Sequence, residues 1–450
     1  MRPRKTYLAA QYVVVCCLIV LLGCSGGPPQ LMPTPNLYVN GGFDPFPDVP
    51  PALQNNGAEV LYVTDRAYEK DSTPVAPKYG YKRSRSVVFG VSDVQFGDDV
   101  PWDELVKASK SAKRSVKLPV KMTKVTELCR FPPMPKTLIE IPAAGELATQ
   151  PAKAPWGVQE EVDEALNQCR AELSARLANQ PVKDVYVFVH GVKTSFEGSV
   201  TTAAELWHFL GRNGVAVAYS WPAGGGGILR GYNYDYNSSE FTVNHLKETL
   251  KAISGCPDVH KIHIIAHSRG TDVALTALRE LHLEISGSGR VTRDVLKLGT
   301  VVLAAADLDV DVVIQRVATA RLGKVPERSV VYISSTDEAL GFSHWLFGGI
   351  RLGKLQPDIF TTEELEALRK SPYLAIVDAR VTKPGAFGHN YFYSNPAVSS
   401  DLILVLRYGR APGAENGRPL KSNGKGFWLV DDNYPGMPPG KTASDASVSR

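Results

Sequence analysis

One serine stands in surroundings typical of a catalytic nucleophile, in the stretch IHIIAHSRGTDVALTAL at residues 262–278. Four mostly apolar residues lead into the pentapeptide AHSRG, and a helical pattern of apolar positions follows it. This pattern resembles the nucleophile elbow Gly-x-Ser-x-Gly, in which a sharp turn between a strand and a helix exposes the serine. Ala266 replaces the first glycine and adds only a methyl group. Ser268 is therefore the candidate nucleophile, and the alternative is an ordinary serine in a turn.

A serine hydroxyl is a weak nucleophile at neutral pH. It needs a histidine as general base, and a carboxylate that orients this histidine. The oxyanion that develops during acyl transfer also needs two preorganised hydrogen-bond donors. Together, such groups would cleave an ester through an acyl-enzyme on the serine.

The elements that would position these groups begin near residue 181, where nearly continuous apolar runs start to alternate with helical patterns. This alternation predicts an α/β fold, with a mostly parallel sheet covered by helices on both faces. Strands are predicted at 184–191, 215–222, 262–266, 297–307, 329–335 and 373–381, and helices at 201–214, 240–253, 270–283, 311–320, 361–370 and after Asn395. Functional groups in such sheets lie at the carboxyl ends of the strands.

The remaining segments are predicted to be accessory to a catalytic domain at 181–410. Residues 25–56 are rich in Pro, Gly and Asn, which predicts a tether. Residues 57–180 contain predicted strands at 58–66 and 85–96 and a helix at 159–180, and we interpret them as a lead-in layer packed on the main domain. Residues 411–450 return to Pro, Gly and Ser and predict a loosely held tail.

The first 24 residues have the layout of an export signal. Three basic residues precede an apolar run that ends at Leu22, and Gly23-Cys24 follows directly. The end of this run resembles a bacterial lipobox, which implies that Cys24 receives lipid and tethers the protein to a membrane outside the cytoplasm. Ser25, rather than an aspartate, follows the cysteine, so the outer membrane is expected in a Gram-negative cell. An uncleaved anchor and a plain signal peptide are the alternatives.

The net charge and the cysteine content limit the classes of partner and cofactor that we expect. The formal net charge is +4, but three of the basic residues lie in the first 24, which hold no acidic residue, so the rest of the chain carries about +1. A basic nucleic-acid surface is therefore not expected.

Beyond the signal only Cys129, Cys169 and Cys256 remain as cysteines. One disulfide, most plausibly between Cys129 and Cys169, fits an oxidising compartment, and the spacing predicts neither a metal site nor a cofactor.

Several motifs along the chain resemble those of α/β-hydrolases, and more narrowly those of an uncharacterised branch of exported bacterial α/β-hydrolases. The resemblance covers about residues 34 to 408. The matching motifs are TPNLYV, VLYVTDR, YGYKRSRSVVFG, VFVHGVKTSF, AYSWPA, AHSRGTDVAL, SSTDEAL and GHNYFYSNPAVSSDL. The resemblance implies catalytic machinery more clearly than it implies a substrate.

The resemblance also implies the chain order serine, acid, histidine. Three histidines follow Ser268. His389 lies in a glycine-flanked loop after the last predicted strand and is the predicted base. His344 precedes that strand and is the weaker rival, whereas His282 lies in the helix after the elbow and is expected to be a packing or surface residue.

Asp337 is the predicted acid, because it lies just past the strand 329–335, where this fold places the carboxylate. Asp307, at the end of the preceding strand, is the alternative. Capping of the next helix would also account for Asp307 and Asp309. A further carboxylate, Asp378, lies within the last strand.

The predicted oxyanion donors are the backbone N–H groups of Val192 and Arg269. His190 is expected to shape the loop that carries Val192. The Arg269 side chain could favour anionic substrates or pair with a nearby acid, and pairing is the favoured interpretation.

The sequence thus predicts a membrane-anchored serine hydrolase that acts on small or lipid esters. An acyltransferase that uses the same triad is the close alternative. A non-catalytic binding module on the same fold is the alternative from a different class.

Overall fold

A computed structural model describes residues 29–41, 43–73, 75–133, 159–227, 229–347, 349–383 and 388–436. The predicted signal peptide with Cys24, the start of the predicted tether and residues 437–450 lie outside the described residues. Of the helices in these ranges, none combines the length and the apolar character needed to cross a membrane.

An 11-stranded sheet forms the centre of the molecule, in the order β10-β11-β9-β8-β7-β6-β4-β5-β1-β2-β3. From β11 to β1 the neighbouring strands pair in parallel, whereas β10, β2 and β3 add antiparallel edges. The strands are β1 (Gly57–Tyr68), β2 (Tyr79–Phe96), β3 (Val120–Arg130), β4 (Asp184–Val189), β5 (Val215–Ser220), β6 (Lys261–His267), β7 (Leu298–Ala304), β8 (Arg328–Ile333), β9 (Leu374–Arg380), β10 (Lys421–Ser422) and β11 (Trp428–Asp431).

Helices pack on both faces of the sheet. They are α1 (Trp102–Ser109), α2 (Gln159–Ala178), α3 (Phe196–Phe209), α4 (Leu229–Ser254), α5 (Gly270–Gly287), α6 (Thr292–Leu296), α7 (Val310–Val313), α8 (Glu338–Phe347), α9 (Thr362–Lys370), α10 (Tyr391–Ser394) and α11 (Pro396–Leu406). One apolar core joins the sheet to α2, α4 and α5, and a second joins it to α1, α3 and α11. Alternate residues of β4 enter the two cores, which explains its continuous apolar run. The predicted α/β fold is confirmed.

The strands of the segment at 57–180 join the main sheet, whereas a lead-in layer packed on the main domain was predicted. Its strand β1 pairs in parallel with β5, with Leu61 opposite Val217, and β2 and β3 continue the same sheet. A disulfide between Cys129 and Cys169 joins β3 to α2, while Cys256 is free and buried. Backbone pairing therefore makes β1, β2 and β3 part of the main domain, and residue 181 is not a structural boundary.

The predicted tether is wrong from about residue 30 onward. Leu31, Met32, Leu37 and Tyr38 are buried in the second core. The Met32 N–H donates to the buried carboxylate of Glu205, at 2.5 Å. Apolar side chains spaced among the prolines hold this segment, so its composition alone was misleading.

The predicted loose tail is also wrong for the residues up to 436. The short strands β10 and β11 extend the sheet beyond β9. Arg418 donates two hydrogen bonds to the fully buried carboxylate of Asp401, at 2.8 and 2.6 Å, and the Tyr434 hydroxyl donates a third at 2.7 Å. Polar anchoring of this kind leaves no apolar pattern in the sequence.

Candidate active site

Ser268 occupies a sharp turn between β6 and α5. Its φ of 52° lies in the left-handed region, which L-residues other than glycine rarely adopt. The turn is held because the Ser268 N–H donates to Ala304 O at 2.9 Å and Ser268 O accepts from the Thr271 hydroxyl at 2.6 Å. Backbone strain in a defined turn is the geometry expected of a nucleophile elbow.

Close backbone approach explains the small residues around the elbow. A Cβ on Gly270 would lie 2.3 Å from His190 O, and one on Gly191 would lie 2.7 Å from Ser268 Cβ. The backbone after β4 therefore runs directly against the nucleophile. Ala266, which replaces the usual first glycine, is fully buried in β6 and its methyl group is accommodated there.

His389 and Asp337 form a hydrogen-bonded pair beside this turn. His389 Nδ1 lies 2.7 Å from Asp337 Oδ2. Asp337 is fully buried, and its second oxygen accepts from the Leu340 N–H at 3.1 Å, which fixes the carboxylate at the start of α8. The His389 side chain keeps some exposure, whereas Asp337 has none.

His267 connects this pair to the elbow. Its ring centre lies 4.7 Å from that of His389, and its Nε2 lies 3.3 Å from His389 O. Burial and the neighbouring His389 lower the pKa of His267 well below its ordinary value. A neutral His267, the residue directly before Ser268, thus packs against the loop that carries His389.

Ser268 and His389 make no direct hydrogen bond to each other, although both lie within the described residues. Catalytic hydrogen bonds are often open without substrate. General-base catalysis requires this contact to close in the substrate complex.

The alternative acid Asp307 is engaged elsewhere. Its carboxylate accepts from the hydroxyls of Tyr232 and Ser343, and the Arg351 guanidinium lies 3.6 Å away. Its backbone N–H approaches Ser268 O at 3.4 Å, so it supports the turn from behind. The structure therefore brings Asp337, and not Asp307, to His389.

The other titratable candidates also lie in separate contacts. His344 faces Gly349 O, and His282 Nδ1 lies 2.8 Å from Thr292 Oγ1. Asp378 accepts from Arg380 at 2.8 Å. Asp309 caps α7, as the helix-cap interpretation predicted.

Two backbone donors lie in segments next to Ser268. The N–H groups of Val192 and Arg269 donate to no acceptor within the described ranges. Val192 directly follows Gly191, which touches Ser268, and Arg269 is the residue after the nucleophile at the N-terminus of α5. Both positions suit donors to an oxyanion.

The Arg269 side chain turns away from these donors. It pairs with Asp272 at 2.7 Å, donates to Ser239 and to Asp307 O, and its guanidinium stacks 4.0 Å from the centre of the Tyr236 ring. This agrees with the pairing interpretation. The side chain thus fastens the start of α5 to α4.

Asp235 on α4 is a site-supporting residue that the sequence did not reveal. Its carboxylate accepts from the N–H groups of Lys193, Gly224 and Gly225, at 2.8, 2.9 and 3.3 Å. Lys193 has a φ of 58°, so this acceptor stabilises an unusual backbone conformation next to Val192. A lone aspartate in a polar helix carries no sequence signal of this role.

No group of three or more His, Cys, Asp or Glu side chains in the described part of the chain could hold a metal ion.

Comparison with known proteins places this chain in a family whose function is unknown. No curated protein matches this chain. A family model described as an alpha/beta hydrolase of unknown function, DUF900, matches residues 165–406, more than half of the chain. The elbow, the acid and the histidine all fall within this match, whereas β1, β2 and β3 precede it. The chain therefore belongs to the DUF900 family of α/β-hydrolases.

Proposed function

We propose that this protein is a serine hydrolase that cleaves carboxylic esters through an acyl-enzyme on Ser268. The observation that carries the proposal is the strained turn at Ser268 beside the hydrogen-bonded pair of His389 and Asp337. A serine in a plain turn would need neither the positive φ nor a buried carboxylate–histidine pair at its side.

In the proposed reaction, His389 takes the proton of Ser268 as its oxygen attacks the ester carbonyl. Asp337 accepts from His389 Nδ1–H, which orients the ring and stabilises its charged form. The N–H groups of Val192 and Arg269 stabilise the oxyanion. His389 then protonates the leaving alcohol, and the same groups activate water to release the acid.

A fluorophosphonate probe tests this proposal directly, because it reacts with activated serines. We expect one phosphonate adduct on the wild-type protein, mapped by mass spectrometry to the peptide that contains Ser268, and no adduct on the Ser268→Ala variant. The wild type should also hydrolyse members of a p-nitrophenyl ester series of increasing acyl length. A folded wild-type protein without an adduct or ester hydrolysis would overturn the proposal and favour a binding module.

We further propose that lipid on Cys24 anchors the protein to a membrane. The support is the order of basic residues, apolar run and Gly23-Cys24 in the sequence. Cells grown with an alkyne-labelled fatty acid should incorporate label into the wild-type protein and not into Cys24→Ala. Equal labelling of both proteins, or of neither, would contradict the anchor.

A further inference from the structure

We propose that Arg66 on β1 is a positioning residue that fixes the Gly191–Val192 peptide, and with it the Val192 N–H of the oxyanion hole. This inference rests on the proposed function. Arg66 precedes the residues that the family model matches. The proposal therefore gives the N-terminal strands a part in catalysis.

Arg66 is buried, with 2% of its surface exposed, and every N–H of its guanidinium has an acceptor. Burial lowers its pKa to about 10, which leaves it charged at neutral pH. The five donors reach Ser220 Oγ at 2.9 Å, Gly80 O at 3.0 Å, Ala223 O at 2.9 Å, Thr194 O at 2.8 Å and His190 Nε2 at 3.3 Å. Because these acceptors come from three separate segments, the side chain ties β1 to the loop after β4, to the start of β2 and to the end of β5.

The contact with Arg66 determines which nitrogen of His190 carries its proton. Arginine only donates hydrogen bonds, so His190 Nε2 must accept. The proton therefore sits on Nδ1, which donates to Gly191 O at 2.7 Å. Burial and the nearby charge of Arg66 lower the pKa of His190 to about 3, so this neutral form persists at all ordinary pH values.

The bond to Gly191 O sets the direction of the next N–H. A trans peptide is planar, so the C=O of Gly191 and the N–H of Val192 point in opposite directions. When His190 holds the oxygen on one side, the Val192 N–H is directed to the other. Gly191 lies in contact with Ser268, which places this donor next to the nucleophile.

Arg66 also holds the far end of the same loop through Thr194 O. Lys193, between the two ends, adopts its left-handed φ of 58°. Oxyanion donors lower a barrier only if they are aligned before the reaction, because realignment would cost free energy during it. Arg66 and His190 supply this alignment without contact to the substrate.

The test compares Arg66→Lys with a matched control, Arg212→Lys. Arg212 is likewise buried and bonded to a histidine, His208, but it contacts Leu53 and Trp102 rather than the site. For Arg66→Lys we expect kcat on a p-nitrophenyl ester to fall about 10- to 100-fold, with KM changed less than about 2-fold, because full loss of one oxyanion donor costs about 10²–10³ in kcat. Inhibition by a trifluoromethyl ketone, whose adduct carries an oxyanion, should weaken in parallel.

Arg212→Lys should lower the melting temperature without this change in kcat or inhibitor affinity. If Arg66→Lys does not fold, His190→Asn and His190→Leu provide the second comparison. Asparagine can still donate to Gly191 O and leucine cannot, so kcat should be higher in His190→Asn. Folded Arg66 and His190 variants with wild-type kcat and inhibitor affinity would overturn the positioning role. An inactive wild-type protein would instead refute the proposed function itself.

Discussion

Replacement of Asp337 by asparagine is expected to lower kcat about 10⁴-fold, as measured by ester hydrolysis at saturating substrate. The carboxylate accepts from His389 Nδ1–H at 2.7 Å, which leaves the other ring nitrogen free to accept the serine proton. An amide at this position can donate to Nδ1 and so stabilise the wrong tautomer. The shape of the site would be kept while its base was lost.

Asp307→Asn is the matched control, since Asp307 is also buried and follows a neighbouring strand. Its partners are Tyr232, Ser343 and Arg351 rather than His389. We expect this variant to lose stability and to keep kcat within about 10-fold of the wild type, since no proton-transfer group changes. A large loss of kcat in Asp307→Asn together with a small loss in Asp337→Asn would show that the acid is Asp307.

The second large effect concerns stability. Asp401→Asn is expected to lower the free energy of unfolding by about 3–5 kcal/mol, because it leaves the buried guanidinium of Arg418 without its counter-charge. The hydroxyls of Tyr332 and Tyr434 also lose a charged acceptor. Urea denaturation followed by circular dichroism measures the change.

Glu366→Gln serves as the control for this measurement. Glu366 pairs with Arg369 and Lys370 on the exposed face of α9, and exposed pairs of this kind contribute little to stability. Its denaturation curve should coincide with that of the wild type. If the Asp401→Asn curve also coincided, the residues after 410 would not be anchored by this carboxylate.

Regular apolar patterns made the centre of the fold predictable. The strand predicted at 262–266 is observed at Lys261–His267, and the helix predicted after Asn395 is observed at Pro396–Leu406. A strand buried on both faces leaves a short continuous apolar run, and a buried helix leaves a longer one. The order of Ser268, Asp337 and His389 could likewise be predicted, because each follows a recognisable strand. Their catalytic roles stay predictions until the variants are measured.

The peripheral segments could not be predicted because their contacts follow no regular period: scattered apolar side chains such as Leu31 hold one end, and polar contacts help to hold the other. Arg418 and Asp401 are 17 residues apart and lie outside any period. Arg66 lies near the end of β1, where a charged residue usually faces solvent. The signal available in the sequence was that two charged residues, Asp65 and Arg66, directly continue the run VLYVT. The helix predicted at 311–320 is instead a short α7 followed by a π-helical turn, Ile314–Ala318, which the local pattern does not distinguish.

The parallel pairing of β1 with β5 has a consequence for how the domain avoids aggregation. Every residue of β5 is buried, and β1 satisfies the backbone groups along one side of it. The matched family segment begins at residue 165, so that segment alone would present β5 as an open, apolar sheet edge. Such edges recruit strands from other molecules. In this chain β1 covers that edge, and the antiparallel β2 and β3 move the exposed border to β3, a strand with lysines at 121 and 124 that oppose further pairing.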